Sequence, residues 1–335
     1  MPLLKRTSAK WCGLAAGMAV LLLAFTASIA FGQTSMPLST VWTAFFSYDP
    51  ESAEHVIVTT TRLSRAIIAL VIGASLAISG ALMQALTRNP LASPSLFGIN
   101  AGATLFVVLA ITFFSVNSLS HYMWFSLLGG TVAAVMVFAL GSLGKGGASP
   151  LKFVLAGAAV TALLLSLTQG FLVISAPAIQ GALFWLAGSV AGRTLEMLLP
   201  ILPFLLAGWA AALFMGKSVN ILTAGDEVAT GLGQRTFLLK AAMAVIIVVL
   251  AGGSVSVGGS IGFIGLIVPH IVRSLVGADY RWIIPYCVLV GGIVLLLADI
   301  GARFMISPEE LPIGVMTALV GTPFFIYLAR KGVNR

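Results

Sequence analysis

Residues 66–86 read AIIALVIGASLAISGALMQAL and contain no charged side chain. An α-helix rises 1.5 Å per residue, so about 20 apolar residues cross the hydrocarbon core of a bilayer. This stretch is therefore long and apolar enough to span a membrane as one helix. Gly73, Ala77 and Ala81 recur within it at four-residue spacing. Such spacing of small residues is typical of a helix face that packs closely against another helix in lipid.

The composition of the whole chain extends this conclusion. Of 335 residues, 59% are hydrophobic and 8% are charged, and the mean hydropathy is +1.08. Soluble proteins carry roughly 25% charged residues, because their surface faces water. The composition therefore excludes a soluble enzyme, a disordered protein and, despite the net charge of +8, a nucleic-acid-binding domain. It predicts an all-α, polytopic membrane protein.

Apolar segments recur along the chain and predict about ten transmembrane helices in one membrane domain covering residues 1–335. The first segment follows Lys5, Arg6 and Lys10, as in a signal peptide. Its length and the many later spans favour an uncleaved first helix behind a cytoplasmic N-terminus at residues 1–10. The predicted segments are 11–31, 66–86, 95–114, 122–143, 153–174, 196–215, 237–257, 259–276, 282–302 and 311–330.

The basic residues predict the orientation. With both termini in the cytoplasm, 14 of the 18 lysines and arginines fall on the cytoplasmic side, as the positive-inside rule requires. Arg62, Arg65, Arg193 and Arg303 are the exceptions. The positive net charge therefore reports membrane orientation and predicts no nucleic-acid partner.

Several common functional motifs are missing from the sequence. There is no GxxxxGK[ST] motif, so the chain alone is not expected to hold a nucleotide. His55, His121 and His270 are scattered and lack metal-ligand spacing, so we predict no metal site. The middles of the spans contain few ionisable groups, which disfavours an ion-coupled secondary transporter but leaves it as an alternative.

Residues 223–235, TAGDEVATGLGQR, form a polar loop on the predicted cytoplasmic side. Asp226 can cap a short helix that starts near Glu227, and Gly231 or Gly233 can end it. The loop is either a docking helix for a soluble partner or a solvated connector.

Arg62, Arg65 and Arg303 lie at the predicted outer ends of their spans. They could contact carboxylates of an extracytoplasmic partner. Alternatively, they could snorkel or pair within the protein, and Arg303 stands four residues after Asp299, the spacing of a helical ion pair.

A rigid turn with two prolines, RNPLASP at 88–94, follows the second span. Gln84 and Asn100 are candidates for the polar lining of a pathway through the membrane. Pro269 and His270 interrupt the eighth span, where we expect His270 to be a packing residue.

Together these stretches resemble the FecCD family, the permease subunits of type II ABC importers for iron–siderophores, haem and cobalamin. The turn NPLA at 89–92, the loop GDEVATG at 225–231 and the run LADIGAR at 297–303 are among the matching motifs. Ser64 and Ser260 stand where the family often has proline. The matching stretches are 73–104, 155–170, 184–193, 224–234, 262–282, 297–304 and 310–326.

The resemblance implies the molecular context. It implies ten helices in the cell (inner) membrane and a second permease subunit, identical or paralogous. It also implies a cytoplasmic ABC ATPase dimer, which uses ATP, and an extracytoplasmic substrate-binding (lipo)protein. This chain would then be no enzyme and would bind no cofactor. We expect an iron(III)–siderophore as cargo, with haem or cobalamin as alternatives.

The resemblance also implies roles for individual residues, in three groups. The first would couple the permease to the ATPase, the second would dock the binding protein, and the third would form the inner gate and pathway. These groups are Gly225, Asp226, Glu227 and Gly231; Arg62, Arg65 and Arg303; and Asn89, Pro90 and Leu91 with Gln84 and Asn100.

Overall fold

A computed structural model gives the fold of the chain. It describes residues 2–34, 36–114, 116, 118–143, 149–174, 179, 185–306 and 309–333. Lys145 and Arg335, which we assigned to the cytoplasmic side, and Phe184 of the matching stretch 184–193 lie outside these residues. The described part is helical, and its one piece of β-pairing is an isolated bridge between Ile306 and Glu309.

Twelve helices of more than one turn follow one another in the described part. Single turns at Pro94–Phe97 and Leu195–Leu198 lie between them. The helices are α1 Thr7–Ala30, α2 Leu38–Phe46, α3 Ala53–Thr87, α4 Ile99–Phe114, α5 Leu119–Ser142, α6 Pro150–Ile174, α7 Leu202–Thr223, α8 Asp226–Gly231, α9 Thr236–Gly258, α10 Ile264–Val276, α11 Tyr280–Phe304 and α12 Ile313–Val333.

Each of the ten predicted apolar segments overlaps one of these helices, although the sixth, 196–215, starts too early because α7 begins only at Leu202. Seven of these helices, α1, α3, α5, α6, α7, α9 and α11, are long and apolar enough to cross a membrane. The other three, α4, α10 and α12, have shorter apolar parts. The predicted start of the eighth segment at 259 is wrong, because Gly259 and Phe263 adopt positive φ angles of 71° and 65° and α10 begins only at Ile264.

Helix α3 is the centre of the bundle and packs against α7, α9, α10 and α11. Every residue from 71 to 87 is buried. Small residues allow this close packing: a Cβ added at Gly73 would overlap the carbonyl oxygen of Gly291 in α11, and one added at Gly80 would overlap that of Gly265 in α10. The predicted packing face on α3 is therefore present.

Candidate functional site

The candidate residues gather at two places along α3. Arg62 and Arg65 lie within its first half, and Arg88 follows its last residue. The 23 residues from Arg65 to Arg88 correspond to about 35 Å of helix. We name Arg62, Arg65, Asp299 and Arg303 the arginine cluster.

Asp299 forms the centre of the arginine cluster and is completely buried. Arg65 donates from Nε to both of its carboxylate oxygens, at 2.9 and 3.1 Å, and Nη2 lies 2.8 Å from Oδ1. Arg303 pairs with Oδ2 of the same carboxylate. Arg65 also donates from Nη1 to Glu310 at 2.7 Å. Two cations from different helices therefore share one buried anion.

The same cluster holds the end of α1. The last carbonyl groups of a helix have no partner within it and form the negative end of its dipole. Arg62 and Arg303 supply the missing donors from α3 and α11. The bonds of Nη1 of Arg62 go to Ile29 O at 3.1 Å and Ala30 O at 2.8 Å, and those of Nη1 of Arg303 go to Ser28 O at 2.7 Å and Phe31 O at 2.8 Å.

All three arginines are buried, with exposed fractions of 5% for Arg62, 8% for Arg65 and 2% for Arg303. Their guanidinium groups pair within the protein, and the predicted ion pair between Arg303 and Asp299 is present. The sequence allowed two interpretations, contact with carboxylates of a partner and pairing within the protein. In the structure of this chain the arginines pair within the protein. A docking role for these arginines stays a prediction.

Beside the C-terminal end of α3, the loop 223–235 forms the short helix α8. The prediction that Asp226 caps a helix starting near Glu227 is wrong. The helix begins at Asp226 itself, Gly225 occupies the capping position with φ of 130°, and no side chain caps the helix. Gly231 ends the helix, and Gly233, with φ of 79°, donates its N–H to Thr230 O at 2.9 Å.

Asp226 does not cap α8 because its carboxylate binds two cations of other helices. Arg88 Nη2 lies 2.7 Å from Oδ1, and Lys240 Nζ lies 2.8 Å from Oδ2. We name Arg88, Asp226 and Lys240 the aspartate bridge. The roles of Arg88 and Lys240 were not predicted from the sequence. One signal was available, because Lys240 is the single charged residue of α9, and a buried cation needs a partner.

Part of α8 and the residue that follows it face outward. Glu227 is exposed, and Val228 and Leu232 are 50% and 68% exposed. An acidic residue beside two exposed apolar residues forms a small amphipathic surface at this short helix. The structure therefore separates Asp226, which faces the bundle, from Glu227.

The turn after α3 lies beside the aspartate bridge. Arg88 adopts a left-handed conformation with φ of 49°, and the side chain of Asn89 accepts the N–H of Leu91 at 2.9 Å. Pro90 and Leu91 are exposed. Gln84, one turn earlier, accepts a hydrogen bond from Nη1 of Arg273 at 2.5 Å. A cavity of about 240 Å³ lies here, lined by Gln84, Arg88, Pro90, Thr223, Arg273, Ala278 and Tyr280.

Asn100 lies apart from these residues. Its Nδ2 donates to Oγ of Ser260 at 3.0 Å, in the irregular link between α9 and α10. The structure therefore brings Gln84, Asn89, Pro90 and Leu91 together near α8 and leaves Asn100 at a second place. His270 packs edge-on against Phe324, with ring centres 5.7 Å apart, as a packing residue does.

Comparison with known proteins identifies the family of this chain. The model of the FecCD transport family matches residues 20–331. The chain is 48% identical over 330 residues to the probable siderophore transport system permease protein YfiZ of Bacillus subtilis, covering 98% of this chain and 99% of that protein. It is 41% identical to the ferric enterobactin transport system permease protein FepD of Escherichia coli over 317 residues, 94% of each chain.

A solved structure agrees with these relatives. It shows a transporter assigned to the metal-chelate ABC type in an inward-facing conformation. The TM-score is 0.83 at 30% sequence identity, and the match covers 95% of this chain and 98% of that one. The match therefore extends over nearly the whole fold. The chain belongs to the FecCD transport family and is an ABC importer permease of that type.

Proposed function

We propose that this chain is the permease subunit of an ATP-driven importer that moves an iron(III)–siderophore through the cell membrane. The observation that carries the proposal is the full-length similarity to a siderophore permease, at 48% identity over 98% of the chain. Cobalamin is the second candidate cargo, because a cobalamin import permease of Halobacterium salinarum is 40% identical over 84% of the chain.

The proposed arrangement has ten membrane spans with both termini in the cytoplasm. The seven long apolar helices and the three shorter ones support this number, and an even number returns the chain to its starting side. We infer a second permease subunit, identical or paralogous, and a cytoplasmic ABC ATPase dimer that uses ATP. An extracytoplasmic binding (lipo)protein would deliver the cargo. This chain would act without a cofactor of its own.

We assign coupling to the ATPase to Gly225, Asp226, Glu227 and Gly231 of the α8 loop. The exposed surface of Glu227, Val228 and Leu232 supports this assignment, because it offers apolar contact and one charge to a soluble partner. Motion of α8 would then bias the bundle between two conformations, which requires that the ATPase contact them differently.

The pathway proposal concerns two groups of residues. Asn89, Pro90 and Leu91 would form part of the inner gate, next to Gln84. Asn100 would line the pathway farther along. Its bond to Ser260 supports this position, since irregular backbone within a membrane protein is tolerated where it is buried in protein or lines a cavity. The structure places that link between α9 and α10.

Docking of the binding protein is assigned to Arg62, Arg65 and Arg303. Arg65 and Arg303 pair there with the carboxylates of Asp299 and Glu310. Arg62 bonds instead to backbone carbonyl groups, so one positive charge is in excess. Because the arginines are buried, we infer that they attract an acidic partner mainly through their field, which raises the association rate more than the affinity.

Uptake by purified components tests the proposal. Proteoliposomes would contain the permease, its ATPase and the loaded binding protein. Labelled ferric hydroxamate, ferric catecholate, ferric citrate, haem and cobalamin would be compared as cargo. We expect ATP-dependent uptake of a ferric siderophore. Uptake that survives ATP depletion and collapses with the ion gradient would instead identify a secondary transporter and refute the proposal.

A further inference from the structure

We propose that the aspartate bridge anchors the coupling helix α8, so that Asp226 transmits movement of α8 to the end of α3. Asp226 would be a positioning residue that works within the permease and would leave contact with the ATPase to its neighbours. Arg88 and Lys240 would share this role. The inference rests on the proposed function, because it needs an ATPase that moves α8.

The three charges join three separate helices. Arg88 ends α3, Asp226 begins α8, and Lys240 lies in the second turn of α9. The carboxylate lies 2.7 Å from the first cation and 2.8 Å from the second. One of the two guanidinium bonds of Arg88 goes to Leu222 O at 3.2 Å, in the last turn of α7. A shift of α8 therefore acts directly on the turn that follows α3.

The backbone of Arg88 supports a specific role for its side chain. Left-handed φ values favour glycine, and a residue with a Cβ adopts them at an energetic cost when its surroundings hold it there. Arg88 has φ of 49° at the C-terminus of α3, where glycine is the common solution. Glycine would adopt this backbone conformation without strain, so the contribution of an arginine at this position is its guanidinium group.

The two halves of the bridge differ in burial. The side chain of Lys240 is 7% exposed, whereas those of Arg88 and Asp226 are 35% and 40% exposed. Water screens the Arg88 pair, so it can open and close at small cost. The Lys240 pair is more costly to open, because opening it would take the carboxylate away from a buried cation. Lys240 would thus act as the fixed point and Arg88 as the releasable contact.

The test uses Arg88→Gly, which removes the guanidinium and relieves the backbone. Arg88→Lys keeps the charge, and Asp226→Asn opens both halves. Arg281→Gln is the matched control, since the exposed guanidinium group of Arg281 forms an ion pair with Asp279, two residues before it in the chain. Each variant would be reconstituted with ATPase and binding protein. ATPase co-purification, ATP hydrolysis and cargo imported per ATP would be measured.

We expect Arg88→Gly to assemble with the ATPase and hydrolyse ATP, but to import at least about fivefold less cargo per ATP, the lower range of allosteric coupling. Arg88→Lys should recover most of this loss. The double variant with Asp226→Asn should lose no more than Asp226→Asn alone, because both act on one contact.

Three results would overturn the inference. The first is wild-type import per ATP in Arg88→Gly. The second is additive losses in the double variant. The third is a loss of ATPase co-purification in Arg88→Gly, which would indicate a direct docking contact. Failure of the wild-type protein to import cargo with ATP would instead refute the proposed function, so the two failures are distinguishable.

Discussion

Asp299→Asn tests whether the arginine cluster holds the bundle together. The substitution keeps the shape of the side chain and removes a completely buried carboxylate. Arg65 and Arg303 both pair with that carboxylate, so the variant leaves two buried guanidinium groups without their shared anion. Arg65 would then keep the carboxylate of Glu310 as its anionic partner, and Arg303 would keep its bonds to backbone carbonyl groups.

The expected loss of stability follows from these contacts. Removing one partner of a buried ion pair costs about 3–5 kcal/mol. Glu310 remains 2.7 Å from Nη1 of Arg65, and the carbonyl groups of α1 remain bonded to Arg303. Both contacts keep some compensation in place. We therefore expect the lower end of the range, a loss of about 3 kcal/mol in the free energy of unfolding.

The assay is unfolding of the purified protein in detergent, followed by helical circular dichroism. Glu309→Gln is the matched control, because it removes an exposed carboxylate from the same end of the molecule and should change stability by less than about 0.5 kcal/mol. If Asp299→Asn also stayed within 0.5 kcal/mol of the wild type, the cluster would not stabilise the fold, and the reasoning from burial would be refuted.

Two further predictions concern helix packing and pH. Gly80→Ala should destabilise the bundle by about 1–3 kcal/mol, because the new Cβ would overlap the backbone of Gly265. Gly252→Ala is the control, since its Cβ would lie at an ordinary 3.6 Å from the nearest side chain. Equal unfolding midpoints for the two variants would contradict this prediction. Hydrogen bonds from the Arg281 side chain are the main cause that lowers the pKa of Asp279 from 3.8 to about 2. A carboxylate whose pKa is lowered by folding stabilises the fold above its unfolded pKa, and this stabilisation is lost as the pH falls through the folded pKa. Asp279→Asn should therefore be less stable than the wild type at pH 7, and the difference should shrink as the pH falls from about 4 to 2. A constant difference over that range would contradict this prediction.

The helices could be predicted from the sequence because lipid imposes a local rule. Each span must satisfy its own backbone hydrogen bonds and present apolar side chains, so a run such as 66–86 is readable without knowledge of its neighbours. The face of Gly73 and Ala77 could be read for the same reason. Gly258 and Gly262, at the same spacing, do not share a helix, because α9 ends at Gly258.

The ion pairs could not be predicted, since they depend on the arrangement of helices. Arg65 and Asp299 are 234 positions apart, and Arg88 and Asp226 are 138 apart. Sequence spacing identified the local pair of Arg303 with Asp299 and no distant pair. The predicted capping role of Asp226 was wrong for this reason. Local sequence rules favoured a helix cap, whereas two cations, Arg88 after α3 and Lys240 in α9, bind the carboxylate.

The position of α3 gives these two clusters a common consequence. From Arg65 to Arg88 the helix carries no other charge, and its second half is completely surrounded by other helices. At one end its cations bind α1 and α11, and at the other they bind α7 and α8. A helix packed this tightly moves as a unit, because its neighbours resist local deformation. Both clusters therefore contact the same element, and coupling between distant sites requires such a shared element with two arrangements. The proposed coupling would therefore move the uncharged stretch between Arg65 and Arg88 as one rigid body, with its few charges holding neighbouring helices before and after it.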